Sequence, residues 1–188
     1  MKITDIKHRY ELPEFLNENN LCEVGAEIGV SRGTFSNRLL RQWTGTLLYS
    51  VDSWIRKDIN HGNNLYMEAK NKLQQYGDRS IILRMTSLEA SQIIEDSSLD
   101  FCFIDANHYY HCVLEDCNLW WPKIKSGGIL CGHDYSYDKK VWEDRARPFP
   151  HPGVKLAVDK FTNSNKLDLY HDTRPTYHES SWYTMKNA

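Results

Sequence analysis

The chain has 188 residues, of which 40% are hydrophobic, 12% aromatic and 26% charged; these are the proportions of a folded globular domain, and they exclude wholesale disorder, collagen-like repetition and low-complexity scaffolding. With 23 basic against 25 acidic residues the formal net charge is -2, so no sequence-wide basic excess faces a phosphate backbone or an anionic lipid surface, and a nucleic-acid partner is not expected. No stretch reaches the roughly 18 apolar residues of a membrane span, and the polar opening Met1-Lys2-Ile3-Thr4-Asp5 lacks the apolar core of a secretory signal, so the expectation is one soluble, cytoplasmic domain over residues 1–188 with no membrane partner.

Short apolar runs alternate with longer helical segments, the pattern of βαβ units feeding a mostly parallel sheet with helices on both faces. Residues 1–20 form an N-terminal extension with a short helix around Leu12 to Leu16. Glu23 to Gly29 reads as a first strand running into a glycine turn, and Thr34 to Gln42, with Phe35, Leu39 and Leu40 at helical spacing, as the helix after it. Leu47 to Asp52 is a second strand closing on a carboxylate, and Asn64 to Tyr76 a helix stopped by Gly77. Ser80 to Arg84 is a third strand, and Ser87, a candidate N-cap, opens the next helix. Leu99 to Ile104 is a fourth strand running into Asp105. Tyr110 to Trp121 is a helix ended by Pro122 and by Ser126-Gly127-Gly128, and Ile129 to Gly132 is a fifth strand. Residues 135–153, rich in charge and aromatics and holding three prolines, read as a long loop covering a substrate site, the plainer alternative being a surface excursion. A helix from Val154 to Thr162 and strands Leu167 to Tyr170 and Trp182 to Met185 complete seven strands.

The five cysteines are odd in number and none forms a Cys-x-x-Cys pair, which argues against structural zinc and a disulfide framework. In doubly wound sheets ligands collect at the carboxyl ends of the strands. Those ends hold Glu27-Ile28-Gly29-Val30-Ser31-Arg32-Gly33, Asp52, Thr86-Ser87, Asp105-Ala106-Asn107-His108 and His133-Asp134. The glycine spacing is neither the dinucleotide fingerprint Gly-x-Gly-x-x-Gly nor a phosphate loop, so a nicotinamide cofactor and nucleotide hydrolysis on those plans are not expected. Asp52, about 20 residues past the turn, is placed to accept hydrogen bonds from ribose hydroxyls, or else to cap a helix. Trp120 and Trp121 lie at helical spacing with Leu114 and read as packing.

Ala26 to Gly33, then Val51-Asp52-Ser53-Trp54, then Phe103 to Tyr110, then Trp121 to Gly128 resemble, in order and spacing, the successive motifs of class I S-adenosylmethionine-dependent methyltransferases over roughly residues 21 to 186. The nearest likeness is to the methyltransferase domain 24 group, small-molecule and sugar O-methyltransferases related to macrolide-sugar O-methyltransferases and cephalosporin hydroxylase-like proteins. The resemblance implies an α/β Rossmann-like fold with a seven-stranded sheet, S-adenosylmethionine as cofactor, and a small-molecule or sugar acceptor methylated on a hydroxyl. Homodimers are common in this group.

Position by position, the resemblance puts Glu27 near the methionine moiety, Gly29, Ser31 and Gly33 in the turn beneath it, Asp52 on the ribose, and Trp54 and Ser87 near the adenine. It gives Asp105 to the cofactor site and, as in the metal-dependent relatives, to a Mg2+ or other divalent cation as a ligand. The base three residues later is here His108, and Asp134 is a second ligand. His133 stands where many relatives carry an acidic residue, so it is a further ligand, a substrate contact, or a sign that no metal is used. The absence of an Asn/Asp-Pro-Pro-aromatic motif after the fourth strand moves the target from amino groups and bases toward oxygen. Lys139, Lys140, Arg145 and Arg147, interleaved with Asp138, Glu143 and Asp144, read as a solvated loop rather than an anion site. Two alternatives stand beside the methyltransferase reading: a hydroxylase-like relative of the same fold, and a binding module that has lost the reaction.

Overall fold

A computed structural model describes residues 1–135, 153–172 and 180–187. Seven strands form one sheet in the order β3-β2-β1-β4-β5-β7-β6: β1 Val24–Ile28, β2 Leu47–Val51, β3 Ser80–Leu83, β4 Leu99–Ile104, β5 Ile124–Gly132, β6 Tyr170–His171 and β7 Trp182–Met185. The pairings among β1 to β5 are parallel, and β7 runs antiparallel to both β5 and β6. The α-helices among the described residues are α1 Leu12–Glu18, α2 Thr34–Gln42, α3 Ile59–Leu73, α4 Ser87–Ile93, α5 Tyr110–Trp120 and α6 Gly153–Asn165.

Strand β4 lies in the middle of the sheet and every one of its residues is buried, as expected of a predominantly apolar strand covered on both faces. Phe101 and Phe103 point into the layer of α1 and α2, where Phe103 packs on Phe35 at 4.4 Å between ring centroids and Phe101 meets Trp43 edge-on at 5.0 Å. Cys102 and Ile104 point to the opposite layer, where Val113, Cys117 and Trp120 of α5 and Ala157, Val158 and Phe161 of α6 close the second core. Burial of each of these large side chains contributes about 2 kcal/mol. The one charged residue of β4, Asp100, is held by the backbone N–H groups of Glu23 and Val24 and by Lys125 Nζ at 3.2 Å, so a buried carboxylate ties β1 to β4 and β5 at the end of the sheet away from the cleft.

Several boundaries depart from the sequence expectation, three of them for an evident local physical reason. Helix α3 begins at Ile59, because the Asp58 side chain accepts from Asn60 N at 2.9 Å and caps a polar first turn. Helix α4 is capped by Thr86 rather than Ser87: Thr86 and Glu89 exchange side-chain and backbone hydrogen bonds as a capping box. Strand β5 begins at Ile124, since Ser126-Gly127-Gly128 forms an irregularity within the strand opposite Leu99 to Phe101 rather than a stop before it. Strand β6 is only Tyr170–His171. All five cysteines are free thiols. No helix among the described residues is long and apolar enough to cross a membrane.

Candidate active site

Because β1, β2, β3 and β4 run parallel, their carboxyl ends open on one side of the sheet, and a cavity of about 1030 Å³ lies there. Its wall includes Gly29 and Ser31 after β1, Asp52 and Ser53 after β2, Met85 to Leu88 after β3, and Asp105 to Tyr109 after β4.

The turn after β1 is built by close approach. Gly29 has φ +95°, and a Cβ there would lie 2.2 Å from the Asp105 carbonyl oxygen, so only glycine lets the end of β1 pass against the end of β4. Ser31 follows at φ 51°. Its N–H donates to Asp52 Oδ2 at 3.0 Å, and Trp54 N–H donates to Asp52 Oδ1 at 2.7 Å. Both oxygens of the buried Asp52 carboxylate are therefore oriented by backbone donors from two turns, with Arg56 Nη2 at 3.4 Å on one of them.

At the other end of the cleft, His108 Nε2 lies 3.3 Å from Asp105 Oδ1 and 3.3 Å from Asp134 Oδ2. One donor atom from each of Asp105, His108 and Asp134 falls within 4.8 Å of the others, a set of two carboxylate oxygens and one imidazole nitrogen fit to hold a divalent cation. The hydrogen bond to Asp105 raises the His108 pKa despite the opposing effect of burial, with the charges of Asp134 and Asp105 adding to it. Burial pushes the Asp134 carboxyl up, but the hydrogen bond and charge of His133 and the charges of His108 and Arg9 outweigh it and hold it below the ordinary value. Close approach also sets His108: a Cβ on Gly153, at the start of α6, would meet the His108 carbonyl oxygen at 2.2 Å, so α6 presses against the segment that carries the imidazole.

Several expected site residues stand elsewhere. Glu27 does not line the cavity; it is buried beneath the turn, hydrogen-bonded by Ser36 Oγ, and burial above all raises its pKa to about 8. Gly33, φ +70°, caps α2 and packs on Ala69 of α3. Trp54, expected near the adenine, is instead buried against Val30, Leu65 and Ala69, and its indole N–H donates to Ser31 O at 2.7 Å; it braces the turn from behind, because its own φ of 51° turns the ring under the sheet end. Ser87 does line the cavity. His133 is buried, its Nδ1 is 3.4 Å from Asp134 Oδ1 and its Nε2 has no partner among the described residues, so it stands behind Asp134 and outside the three-atom donor set. Trp120 is wholly buried and Trp121 meets Phe161 edge-on at 5.7 Å, both in packing roles. The loop expected over the site, with Lys139, Lys140, Arg145, Arg147, Asp138, Glu143 and Asp144, lies outside the described residues apart from its ends, Tyr135 and Gly153.

Two site residues carried no sequence signal that singled them out. Arg9, in the N-terminal extension, sets Nη1 3.3 Å from Asp105 Oδ2 and rests its guanidinium over Tyr10 and Phe35. Asp116, on α5, lines the cavity and accepts a hydrogen bond from Ser87.

Comparison with known proteins agrees with this geometry. Among solved structures, the O-methyltransferase TomG of Streptomyces achromogenes, in complex with SAM, superposes with a TM-score of 0.69 at 15% identity over 96% of this chain and 80% of that one. An O-methyltransferase from Bacillus cereus, in complex with SAH, gives 0.68 at 14% identity over 98% and 84%. At these identities the likeness shows the fold. A curated relative, the uncharacterized protein y4gI of Sinorhizobium fredii, is 31% identical over 121 residues, 63% of this chain, and the chain spans only 13% of that relative's length. A family profile described as "Methyltransferase domain" matches residues 25–135, more than half of the chain and the whole run from β1 through the cleft to Tyr135, and the chain therefore belongs to the methyltransferase domain 24 family of class I S-adenosylmethionine-dependent methyltransferases.

Proposed function

We propose that this domain transfers a methyl group from S-adenosylmethionine to a hydroxyl of a small molecule or sugar, assisted by a divalent cation held by Asp105 and Asp134, with His108 as the base. The observation that carries the reading is the continuity of one cleft: it runs from the backbone-oriented carboxylate of Asp52, past the Gly29 turn, to Asp105 and His108, which Asp134 joins from behind the cavity wall. The cleft fits the cofactor, since its volume suits a nucleoside-sized ligand and Asp52 presents an oriented acceptor where a ribose is held in such sheets. When bound, S-adenosylmethionine supplies an electrophilic sulfonium methyl, and a divalent cation at the carboxylates acidifies the acceptor hydroxyl.

The chain's own residues do the rest. The turn and Asp52 fix the donor, Asp105 and Asp134 bring negative charge to the acceptor end, and His108 accepts the hydroxyl proton at Nε2 as its general base. Holding two substrates in line for attack supplies a large share of the acceleration. The free thiols suit the reducing cytoplasm.

The test is a screen of hydroxylated sugars and phenols read by product mass. A gain of one methylene per turnover is expected, whereas a gain of one oxygen supports the hydroxylase-like alternative and no product supports the binding module. EDTA should abolish the reaction, with Mn2+ or Mg2+ restoring it. His108→Ala should lower kcat by about 10²- to 10⁴-fold; if the variant keeps its Mn2+ affinity the imidazole is the base, and if it loses that affinity with its rate the imidazole is a ligand instead. Full turnover in chelator removes the metal part of the reading.

A further inference from the structure

Asp134 reaches the donor cluster from a backbone conformation that few side-chain-bearing residues adopt. Its φ is 58°, in the left-handed region that a non-glycine residue keeps only where its surroundings over-determine it. Its carboxylate meets two imidazoles, His108 Nε2 at 3.3 Å and His133 Nδ1 at 3.4 Å, and neither contact fixes the main chain. The main chain is pinned on either side instead: His133 N–H donates to Ile104 O and Tyr135 N–H to Ser180 O, each at 3.1 Å. Tyr135 is also anchored through its side chain. Its ring is buried and stacks on His171 of β6 at 5.3 Å between centroids. Its hydroxyl donates to Asp159 Oδ1 at 2.5 Å and accepts from Lys155 Nζ at 3.2 Å, while Lys155 Nζ donates to Asp159 Oδ2 at 2.6 Å. Lys155 and Asp159 lie one turn apart on α6, so the phenol is closed into a triangle of charge-assisted hydrogen bonds.

We propose that Tyr135 is a positioning residue for cation binding: latched by its hydroxyl to Lys155 and Asp159 of α6, it holds Asp134 in the left-handed conformation that brings its carboxylate to His108. This rests on the metal-assisted reading above. Packing of the ring against His171 needs no hydroxyl, so the triangle at its tip is a device separate from the core. With the triangle opened, the segment after Asp134 loses its side-chain anchor and Asp134 relaxes toward negative φ, which redirects its Cα–Cβ bond and withdraws the carboxylate from the cluster. The same helix reaches the other partner. Gly153, at the start of α6, packs against the His108 carbonyl, so one element sets both His108, which follows β4, and Asp134, which follows β5. The carboxylate itself stays free to exchange an imidazole for a cation, while the Cα that carries it does not move.

Mn2+ binding to the intact chain, followed by electron paramagnetic resonance of the free ion, tests the assignment without turnover. Tyr135→Phe keeps the ring and removes the latch, and should weaken Mn2+ about tenfold, the lower end for loss of a group that orients a ligand. S-adenosylhomocysteine affinity, read by calorimetry at the Asp52 end, should change less than about twofold. Asp159→Ala opens the triangle from a partly exposed position on α6 and should act in the same direction. In an Asp134→Ala background, Tyr135→Phe should change the Mn2+ binding that remains by less than about twofold, because the residue it positions is gone. An undiminished Mn2+ affinity in a folded Tyr135→Phe overturns the inference. So does an equal loss with and without Asp134, which would make the hydroxyl a general support of the fold. No Mn2+ binding by the unaltered protein removes the metal reading and this inference with it, an outcome distinct from binding that is indifferent to Tyr135.

Discussion

The two ends of the cleft hold their carboxylates by different means. Asp52 is fixed by backbone N–H groups of Ser31 and Trp54, both in left-handed turns braced by the Trp54 indole. Asp105 is held by side chains, Arg9 from the N-terminal extension and His108 from the head of α5. A carboxylate satisfied by the backbone keeps its place as long as the fold stands. One satisfied by side chains can exchange them for a cation or a substrate, because rotamer changes are cheap beside backbone rearrangement. On the proposed function, the Asp52 end is a preformed donor site and the Asp105 end an adjustable acceptor site, a division that would suit one invariant cofactor and one acceptor that is gripped and released.

The harshest way to break this contrast is Gly29→Ala, since the new Cβ would overlap the Asp105 carbonyl and strike both ends at once. A loss on the order of 5 kcal/mol is expected, at the exceptional end for one substitution, measured by urea unfolding; a loss below about 1 kcal/mol would show that the turn relaxes and is not rigid.

Glu27 sharpens the contrast from beneath the turn. Its pKa rises from the ordinary 4.5 to about 8, chiefly through burial. Below the lower value the group is protonated in both folded and unfolded chains; between the two values unfolding releases a proton, so stability falls as pH rises through that window. The unaltered protein should lose about 3 kcal/mol between pH 5 and pH 8 from this group. Glu27→Gln, whose amide oxygen still accepts from Ser36, should flatten that slope in thermal melts, and an unchanged slope would assign it to other groups.

The smallest effect separates the two ends directly. Arg9→Met removes a cation 3.3 Å from Asp105 and should raise Mn2+ affinity about fivefold, the equivalent of about 1 kcal/mol for a partly exposed pair. Arg56→Ala at the Asp52 end should change S-adenosylhomocysteine affinity less than about threefold, because the backbone donors remain. A reversal of these sensitivities would refute the division into fixed and adjustable ends.

Residues at the ends of strands were legible in the sequence because a predominantly apolar run marks where a covered strand stops. That is how Gly29, Asp52 and Asp105 stand out, and why β4 and α2 have the expected bounds. Trp54 shows the limit of that reading. Its neighbour Asp52 faces the cleft, but one residue with positive φ between strand and helix sends the ring to the other side. Arg9 and Asp116 were hidden for another reason. Each is an ordinary charged residue locally, and each gains its role from a partner 96 or 29 positions away.

The sequence by itself determined the alternation of strands and helices, the layering of the core and the motifs that place this chain among the methyltransferases, since hydrophobic period and glycine spacing are local properties of a chain. Only the tertiary structure decided which polar groups meet: that Asp52 is gripped by backbone and Asp105 by side chains, that Glu27 and Trp54 lie behind the cleft, and that Asp116 faces into it. Those outcomes depend on how parallel strand ends, the N-terminal extension and α5 converge in space. Burial and charge then act on the groups brought together there, and no local pattern encodes that convergence.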